Sequence, residues 1–484
     1  MTESALPENG ATAAARATRT DQRRSRQLFS VGVLGLGALL AYYAISSKIE
    51  DPIHLYQGLL MLVFAALPSL LWARHGSDQL PVFEVLMLTT ANTYALPLLT
   101  SNIEVSTYSD DVITLCGFAV LFFQVIAIGT HALVRGRPGT SSFYTQEIMT
   151  RDMQKYILFG LVLSTVYIFI SVFFESLIPY EINSILRAVF YGIGLVSVFV
   201  QARRWGQNDL HPSERGAFVV ILAMQVLMQF STLFLVGGIS IIVLALVGYV
   251  SGGRRLPVIP VIALLALLAL LHNGKSVMRN KYWSADGDHQ QVELTELAAF
   301  FTEWVENGLS FTPDSGKQEM TQKLFERTSL LHILCLVASY TPDRQPFLYG
   351  KTYGQIPAQF IPSFFWPGKP PGHISTYTLA IYYGLQSEED TAKTTIGFGM
   401  ISEAYANFGF YGVGILAFLL GAFYKKVKLA TANSPLLSYP GLFLIVLMAW
   451  SFQTEWTLSI WLSSMYQACV GVMGIPLILR NFLG

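Results

Sequence analysis

Charged residues are scarce in this chain of 484 residues. Asp, Glu, Lys and Arg together make up 13% of it, whereas a soluble domain carries about a quarter. Hydrophobic residues make up 52%, and the mean hydropathy is +0.47. Apolar runs of about 20 residues recur along the chain, and such runs cross the hydrocarbon core as helices because lipid offers the backbone no hydrogen-bond partners. The composition therefore predicts an all-α polytopic membrane protein.

The chain also has no net charge, only three cysteines and none of the familiar catalytic motifs. The 31 basic residues balance the 31 acidic ones, so the charge indicates no polyanionic partner such as nucleic acid. Cys116, Cys335 and Cys469 are scattered without metal-ligand spacing, which indicates core residues rather than a disulfide or zinc framework. The chain has no G-x-S-x-G, P-loop or H-E-x-x-H motif. No metal or other cofactor is expected.

Apolar segments divide the chain into about 12 predicted crossings. They fall at residues 28–46, 56–73, 80–99, 111–134, 156–174, 183–202, 216–234, 236–251, 256–272, 409–424, 437–453 and 457–479. The predicted organisation is a disordered cytoplasmic tail at 1–27 and a bundle of about nine helices at 28–272. One large loop with short helices follows at 273–408, and the last three crossings lie within 409–484.

Basic residues predict the orientation of the bundle. They precede the first span and then occupy every second interval, at Arg23, Arg24, Arg26, Arg74, Arg135, Arg137, Arg203, Arg204, Arg254, Arg255, Lys425, Lys426, Lys428 and Arg480. The intervals between them are acidic or neutral, and Lys48, the one basic residue in a short interval of this kind, has two acidic residues close to it. Because loops rich in Lys and Arg stay in the cytoplasm, both termini are predicted to be cytoplasmic and the large loop to face the outside.

The large loop contains three predicted elements. Apolar and acidic residues recur at helical spacing over residues 293–306, which predicts an amphipathic helix that lies on the membrane or covers the bundle. Residues 330–339 are apolar but too few to cross, which predicts a re-entrant or buried helix. The proline-rich run at 357–371 is predicted not to be helical, because proline removes donors and restricts the residue before it. It would form an aromatic wall for a cavity.

Basic side chains of the same loop are candidates for binding a diphosphate. They are Arg327, Arg344, Lys351 and Lys369. Arginine presents a planar fork of donors that matches phosphate oxygens, and Arg327 also precedes a predicted helix whose first N–H groups attract anions. The alternative is a solvated loop with ordinary surface ion pairs, because this interval carries more acids than bases.

Four further ionisable residues have both a functional and a structural interpretation. Arg187 lies inside the sixth predicted span, where an arginine usually faces a cavity or a partner, although it could also extend to the outer headgroups. Glu403, His332 and His373 could each accept a proton. A Glu at a helix end more often interacts with the helix dipole, and a single His is more often an ordinary core or surface residue.

Two stretches, residues 349–371 and 403–409, resemble the Wzy-type O-antigen and exopolysaccharide repeat-unit polymerases and the related O-antigen ligases. The resemblance lies in the order of features: many spans, one large outer loop with an Arg beside its short apolar helix, then Gly-Lys-Thr-Tyr-Gly and Ile-Pro-Ser-Phe-Phe-Trp-Pro-Gly-Lys-Pro. Glu-Ala-Tyr-Ala-Asn-Phe-Gly then leads into another span. The rest of the chain matches only in architecture.

The resemblance implies a GT-C-like, inverting and metal-independent glycosyltransferase of the bacterial inner membrane. It would transfer a glycan from undecaprenyl pyrophosphate to a lipid-linked repeat unit, with a flippase and a chain-length regulator as further partners. A lipid-linked donor also fits an outward-facing loop, because nucleotide sugars are absent outside the cell. An O-antigen-type ligase, a lipid-linked oligosaccharide flippase and a structural membrane protein are the alternatives.

The same resemblance implies roles for individual residues. Arg327 and Arg344 would hold the pyrophosphate, with support from Arg187 and Lys369. Glu403 or His373 would take the proton of the acceptor hydroxyl. Three aromatic residues would stack on sugar rings, namely Tyr353, Trp366 and Tyr405.

Overall fold

A computed structural model gives the fold of the chain. It describes residues 8–46, 49–76, 79–136, 151–174, 177–178, 180–233, 235–282, 292–309, 329–361, 365–366, 368–391, 395–432 and 434–474. Throughout these ranges the regular structure is helical and contains no strand. The predicted all-α class is therefore confirmed for the described part of the chain.

The first half of the chain forms the helices of the main bundle. They are α1 (Glu8–Ser46), α2 (Pro52–Arg74), α3 (Val82–Thr90), α4 (Leu96–Leu99), α5 (Ile103–Ser106), α6 (Asp110–Leu133), α7 (Arg151–Phe173), α8 (Tyr180–Gly206), α9 (Pro212–Ser231), α10 (Leu235–Ser251) and α11 (Val258–Tyr282). A π-helical stretch, Ala91–Ala95, joins α3 to α4. Residues 8–27, expected within a disordered tail, form the start of α1, whose many alanines favour a helix.

The second half contains shorter helices and one long one. They are α12 (Leu297–Leu309), α13 (Leu330–Tyr340), α14 (Ile356–Gln359), α15 (Ile374–Tyr382), α16 (Glu388–Thr391), α17 (Gly399–Thr431), α18 (Tyr439–Trp450) and α19 (Leu458–Cys469). Single 3₁₀ turns precede α12 and α14, at Leu294–Glu296 and Tyr353–Gln355. A π-helical stretch, Val470–Gly474, follows α19.

Five helices in the described residues are long and apolar enough to cross a membrane. They are Ser25–Ser46, Pro52–Arg74, Val82–Leu99, Asp110–Leu133 and Gly399–Thr431. These helices support a membrane protein, although they number fewer than the predicted crossings. The spans predicted at 437–453 and 457–479 correspond to α18 and α19, which have 12 residues each. At a rise of 1.5 Å per residue, α18 is about 18 Å long. α19 continues directly into the π-helical stretch that ends at Gly474, and residues 475–479 of its predicted span lie outside the described residues.

Close backbone contacts hold the long helices of the bundle together. A Cβ added at Gly421 of α17 would lie 2.5 Å from the carbonyl oxygen of Ala127 on α6. A Cβ added at Gly248 of α10 would lie 2.6 Å from the carbonyl oxygen of Phe199 on α8. Each helix pair therefore approaches to a distance that only glycine permits, as is common where helices pack in membranes. All three cysteines are buried and free, as core residues should be.

The amphipathic helix predicted in the large loop is confirmed as a cover over the bundle. It corresponds to α12, whose apolar face packs on α11 in a second hydrophobic cluster. Trp304 is completely buried, and its indole Nε1 donates a hydrogen bond to the carbonyl oxygen of Leu271 at 2.7 Å. Lys281 of α11 forms an ion pair with Glu303 at 2.7 Å on the exposed side.

The other two loop predictions have different outcomes. The short apolar segment forms α13, a buried helix, and the Ser329 hydroxyl caps it by accepting the backbone N–H of His332 at 3.1 Å. The proline-rich run was predicted to lack helix, and this is wrong for α14. Pro357 lies in its first turn, where the missing N–H would have no helical partner anyway and the fixed φ suits a helix.

A break inside α17 separates a short buried arm from a longer one. Phe408 has φ −147° and Gly409 has φ 59°, and both are non-helical. The left-handed backbone at residue 409 suits glycine, which lacks a Cβ. Residues 399–407, called the buried arm below, are all buried. Residues 409–431 form the arm whose length fits a membrane crossing.

Candidate functional site

Glu403 lies at the centre of the buried arm and is completely shielded from solvent. Its Oε2 accepts the backbone N–H of Leu458, the first residue of α19, at 2.7 Å. Its Oε1 is buried and accepts no hydrogen bond of regular geometry from the described residues. The carboxylate thus caps the N-terminus of another helix, where the helix dipole favours negative charge. The structural interpretation of this residue agrees with its position.

Asn407, one turn further along the buried arm, uses its whole side-chain amide. Its Oδ1 accepts the backbone N–H of Gly350 at 2.9 Å. Its Nδ2 donates to the Thr352 hydroxyl oxygen and to the Glu403 carbonyl oxygen, each at 2.8 Å. The Gly350 N–H can only donate, so it determines which end of the amide faces it. Asn407 therefore fastens the loop that contains Gly350 and Thr352 to the buried arm.

Backbone hydrogen bonds complete this attachment. The N–H groups of Leu348 and Tyr349 donate to the carbonyl oxygens of Ala406 and Asn407 at 3.0 and 3.1 Å. These two carbonyls lie at the end of the buried arm, where a helix leaves its last acceptors without partners. Gly350 has φ 89°, a left-handed conformation that lets the loop turn there. The two stretches that carry the resemblance are thus in direct contact.

Thr352 connects this attachment to a third segment. Its hydroxyl oxygen accepts from Asn407, and its side chain lies beside the Glu403 carboxyl group. Its carbonyl oxygen accepts a hydrogen bond from the Ser375 hydroxyl at 3.0 Å. Both Thr352 and Ser375 are completely buried. Because Ser375 lies in the first turn of α15, the attachment reaches His373, which is the N-cap residue of that helix.

His373 and Arg187 lie within electrostatic range of each other although 186 positions of sequence separate them. Both side chains have exposed surface, and the His373 ring stacks on Tyr377 with centroids 6.0 Å apart. Desolvation by the surrounding atoms lowers the pKa of His373, and the nearby positive charge of Arg187 lowers it further. Both effects favour the neutral imidazole, which is the form that accepts a proton. The resemblance implied one site for both residues, but nothing in the spacing connects α8 to the large loop.

The remaining basic candidates are less concentrated than expected. Lys369 donates from Nζ to the carbonyl oxygen of Ile361 at 2.8 Å, and desolvation lowers its pKa. Arg344 is exposed and lies over the Tyr340 ring at 5.2 Å, and Lys351 is exposed on the attached loop. Within the described residues, no contact joins Arg344 or Lys351 to the Arg187–His373 pair. Arg327 and the segment before it lie outside the described residues.

The aromatic candidates have different surroundings. Trp366 is 42% exposed, so its ring is open to a ligand. Tyr353 is half-buried next to Glu403, and desolvation followed by the negative charge of Glu403 raises its pKa. Tyr405 is only 5% exposed and packs edge-on against Phe410 with centroids 5.8 Å apart. Tyr405 therefore has no open face for a sugar and acts as a core residue.

His332, the other candidate base, lies away from these groups on α13. Its ring packs beside Tyr108 with centroids 5.7 Å apart. Desolvation lowers its pKa, which the negative charge of Glu104 partly offsets. Its Nδ1 is buried without a hydrogen-bond partner among the described residues. This environment is that of a core histidine, in agreement with the structural interpretation.

Three residues of this candidate site were not singled out in the sequence. Asn407, Thr352 and Ser375 are uncharged, and residues of these types occur throughout a chain. The available signal was positional: Asn407 stands two residues before the glycine that interrupts α17, and Thr352 lies inside Gly-Lys-Thr-Tyr-Gly. No comparable signal marks Ser375.

Comparison with known proteins identifies a family without an assigned function. No curated protein and no solved structure matches the chain. Residues 149–456 match the family model of DUF8712, a domain of unknown function. The matched region is more than half of the chain and includes Arg187, His373 and Glu403. The chain therefore belongs to the DUF8712 family.

Proposed function

We propose that this protein is a membrane glycosyltransferase that polymerises lipid-linked repeat units. It transfers a growing glycan from undecaprenyl pyrophosphate to the non-reducing sugar of a second lipid-linked unit. One observation carries the proposal: the exposed Arg187 cation is near enough for its charge to act on His373, and desolvation and this charge both lower the pKa of the His373 imidazole. Such a transfer needs two groups: a cation that stabilises the anionic leaving group, and a base that accepts the proton of the acceptor hydroxyl.

The proposed reaction is a single displacement. The acceptor hydroxyl oxygen attacks the anomeric carbon of the donor as the bond between that carbon and the diphosphate oxygen breaks, so the configuration inverts. His373 accepts the hydroxyl proton, and the diphosphate leaves with the electron pair of the broken bond. Arg187 stabilises the negative charge that develops on the leaving group, since its planar fork matches phosphate oxygens. Arg327, Arg344, Lys351 and Lys369 are further candidates for the same grip.

Glu403 has a different role in this proposal from the one the resemblance implied. A proton acceptor must come within hydrogen-bond reach of the reacting hydroxyl, but Glu403 is completely buried and caps α19. We therefore assign the base to His373 and treat Glu403 as a positioning residue. Trp366 and Tyr353 are proposed to contact sugar rings.

The proposed setting is the bacterial inner membrane. We propose 12 crossings with both termini in the cytoplasm, of which five are supported by the length and composition of helices in the described residues. The large loop then faces the periplasm, and the architecture is proposed to be GT-C-like. A flippase that supplies the donor and a chain-length regulator are the expected partners.

Purified protein in liposomes, supplied with undecaprenyl-pyrophosphate-linked repeat units, tests the proposal. We expect a ladder of longer lipid-linked glycans on a gel. Arg187→Ala should lower the rate by about 100-fold or more, as removal of a transition-state donor does. Arg204→Ala, on the same helix but paired with Asp209 at 3.1 Å, is the matched control and should keep its rate.

The other outcomes identify the alternatives. Transfer of one preformed glycan to a lipid-core acceptor without a ladder would indicate a ligase. Movement of the lipid-linked unit across the bilayer without a new glycosidic bond would indicate a flippase. A ladder of unchanged intensity from Arg187→Ala would remove Arg187 from the mechanism.

A further inference from the structure

We propose that Thr352 is a positioning residue that couples the buried pair Asn407 and Glu403 to His373. The importance of His373 as a proton acceptor rests on the proposed function, whereas the coupling rests on contacts. Thr352 is completely buried and has bonded neighbours on two sides. One side faces the buried arm, and the other faces the first turn of α15.

On the first side, the hydrogen bonds have a fixed direction. Asn407 must present its Oδ1 to the Gly350 N–H, so its Nδ2 donates to the Thr352 oxygen. The Thr352 hydroxyl hydrogen is then left for another acceptor. The Glu403 carboxyl group lies beside it, and its Oε1 has no regular partner among the described residues. The Thr352 hydroxyl therefore lies between the side-chain amide of Asn407 and the carboxyl group of Glu403 and can bond to both.

On the second side, the Thr352 carbonyl holds the start of α15. His373 is the N-cap residue of this helix but makes no capping hydrogen bond with its side chain. The Ser375 hydroxyl, two residues later, donates to the Thr352 carbonyl oxygen at 3.0 Å. Any shift of Thr352 is therefore transmitted to the turn that carries the His373 ring.

Two substitutions separate the hydroxyl from the shape of this side chain. Thr352→Val keeps the branched shape but removes the hydroxyl, so one N–H of Asn407 loses its acceptor and the Glu403 carboxyl group loses the hydroxyl beside it. Thr352→Ser keeps the hydroxyl and loses only a methyl group. Thr378→Val is the control, because among the described residues the Thr378 hydroxyl bonds only to the Ile374 carbonyl of the same helix, at 2.8 Å.

The test measures the reactivity of the His373 ring and needs no glycan. Diethyl pyrocarbonate modifies neutral imidazole, and mass spectrometry of the full-length protein gives the rate at each histidine as a function of pH. His211 is exposed at the start of α9 and is the internal reference. We expect Thr352→Val to change the rate at His373 relative to His211 by at least about twofold and to move its pH midpoint. Thr352→Ser should restore the native profile, and Thr378→Val should leave it unchanged.

A double-mutant cycle then distinguishes coupling from general loosening. Ser375→Ala breaks the link to α15 while leaving Asn407 and Glu403 in place, so it also serves if Thr352→Val fails to fold. If Thr352 acts through Ser375, the double variant should resemble Ser375→Ala, with no further change at His373. Additive effects, an equal change at His211, or a Thr352→Ser variant that behaves like Thr352→Val would overturn the proposal. Because no transfer reaction is measured, failure of the polymerase assay would leave this result interpretable.

Discussion

Asn407→Ala should release the loop around Gly350 from the buried arm. The substitution removes three side-chain hydrogen bonds. The bond to the Glu403 carbonyl oxygen is not counted as lost, because this oxygen belongs to α17 and also accepts the backbone N–H four residues later. Two bonds are then lost without replacement, those to Gly350 and Thr352. At about 1 kcal/mol each, their loss costs about 2 kcal/mol of local stability.

Hydrogen–deuterium exchange of the loop amides measures this cost directly. The N–H groups of residues 348–350 all donate to the end of the buried arm, so their exchange reports the opening of this contact. A loss of about 2 kcal/mol corresponds to exchange about 30-fold faster. Asn307→Ala is the control, because the one hydrogen bond of the Asn307 side chain to the described residues is to the Met278 sulfur, at 3.6 Å.

The refuting results are specific. Unchanged exchange at residues 348–350 in Asn407→Ala would show that the backbone bonds alone hold the loop. Faster exchange throughout the bundle would show that Asn407 stabilises the whole fold rather than this contact. Only acceleration confined to the loop and the start of α15 agrees with the connectivity through Thr352 and Ser375.

Two further predictions concern pH and packing. The pKa of His373 is lowered from its ordinary value of 6.5. The contribution of the neutral His373 imidazole to folded stability should therefore be fully present above pH 6.5 and be lost as the pH falls below it. The transfer rate, measured against pH, should fall on the acid side with a midpoint below 6.5, and this fall should vanish in His373→Gln. Gly421→Val should separate α17 from α6 and lower the yield of folded protein in mild detergent by size-exclusion chromatography, whereas Gly129→Ala, which has no neighbour within 4 Å, should leave the yield unchanged.

Local patterns were sufficient for the elements whose structure depends on their own residues. The amphipathic spacing of residues 293–306 identified α12 and its covering role, because one apolar stripe has to be buried somewhere. The shortness of the apolar run at 330–339 likewise excluded a crossing and identified α13. The error at Pro357 arose because a single proline is tolerated in the first turn of a helix.

Other features depend on contacts that no window of sequence contains. Hydropathy places α18 and α19 among the spans, but their ends depend on how the chain turns between them. The electrostatic effect of Arg187 on His373 depends on how α8 and α15 are placed in the fold, which residue spacing does not encode. The burial of Tyr405 follows from other segments packing around every side of the buried arm, since residues 399–407 are all buried.

Glu403 illustrates how one residue type supports opposite interpretations. A carboxylate before a membrane span is a reasonable base while it is assumed to face a cavity. In the folded chain, the loop with Gly-Lys-Thr-Tyr-Gly closes over it, and Leu458 occupies one of its oxygens. The two motifs that carried the resemblance thus form the support, and the exposed His373, the proposed proton acceptor, lies between them in the sequence. On this argument the chemistry of the site should be sought beside the motifs, on the surface that they hold in place.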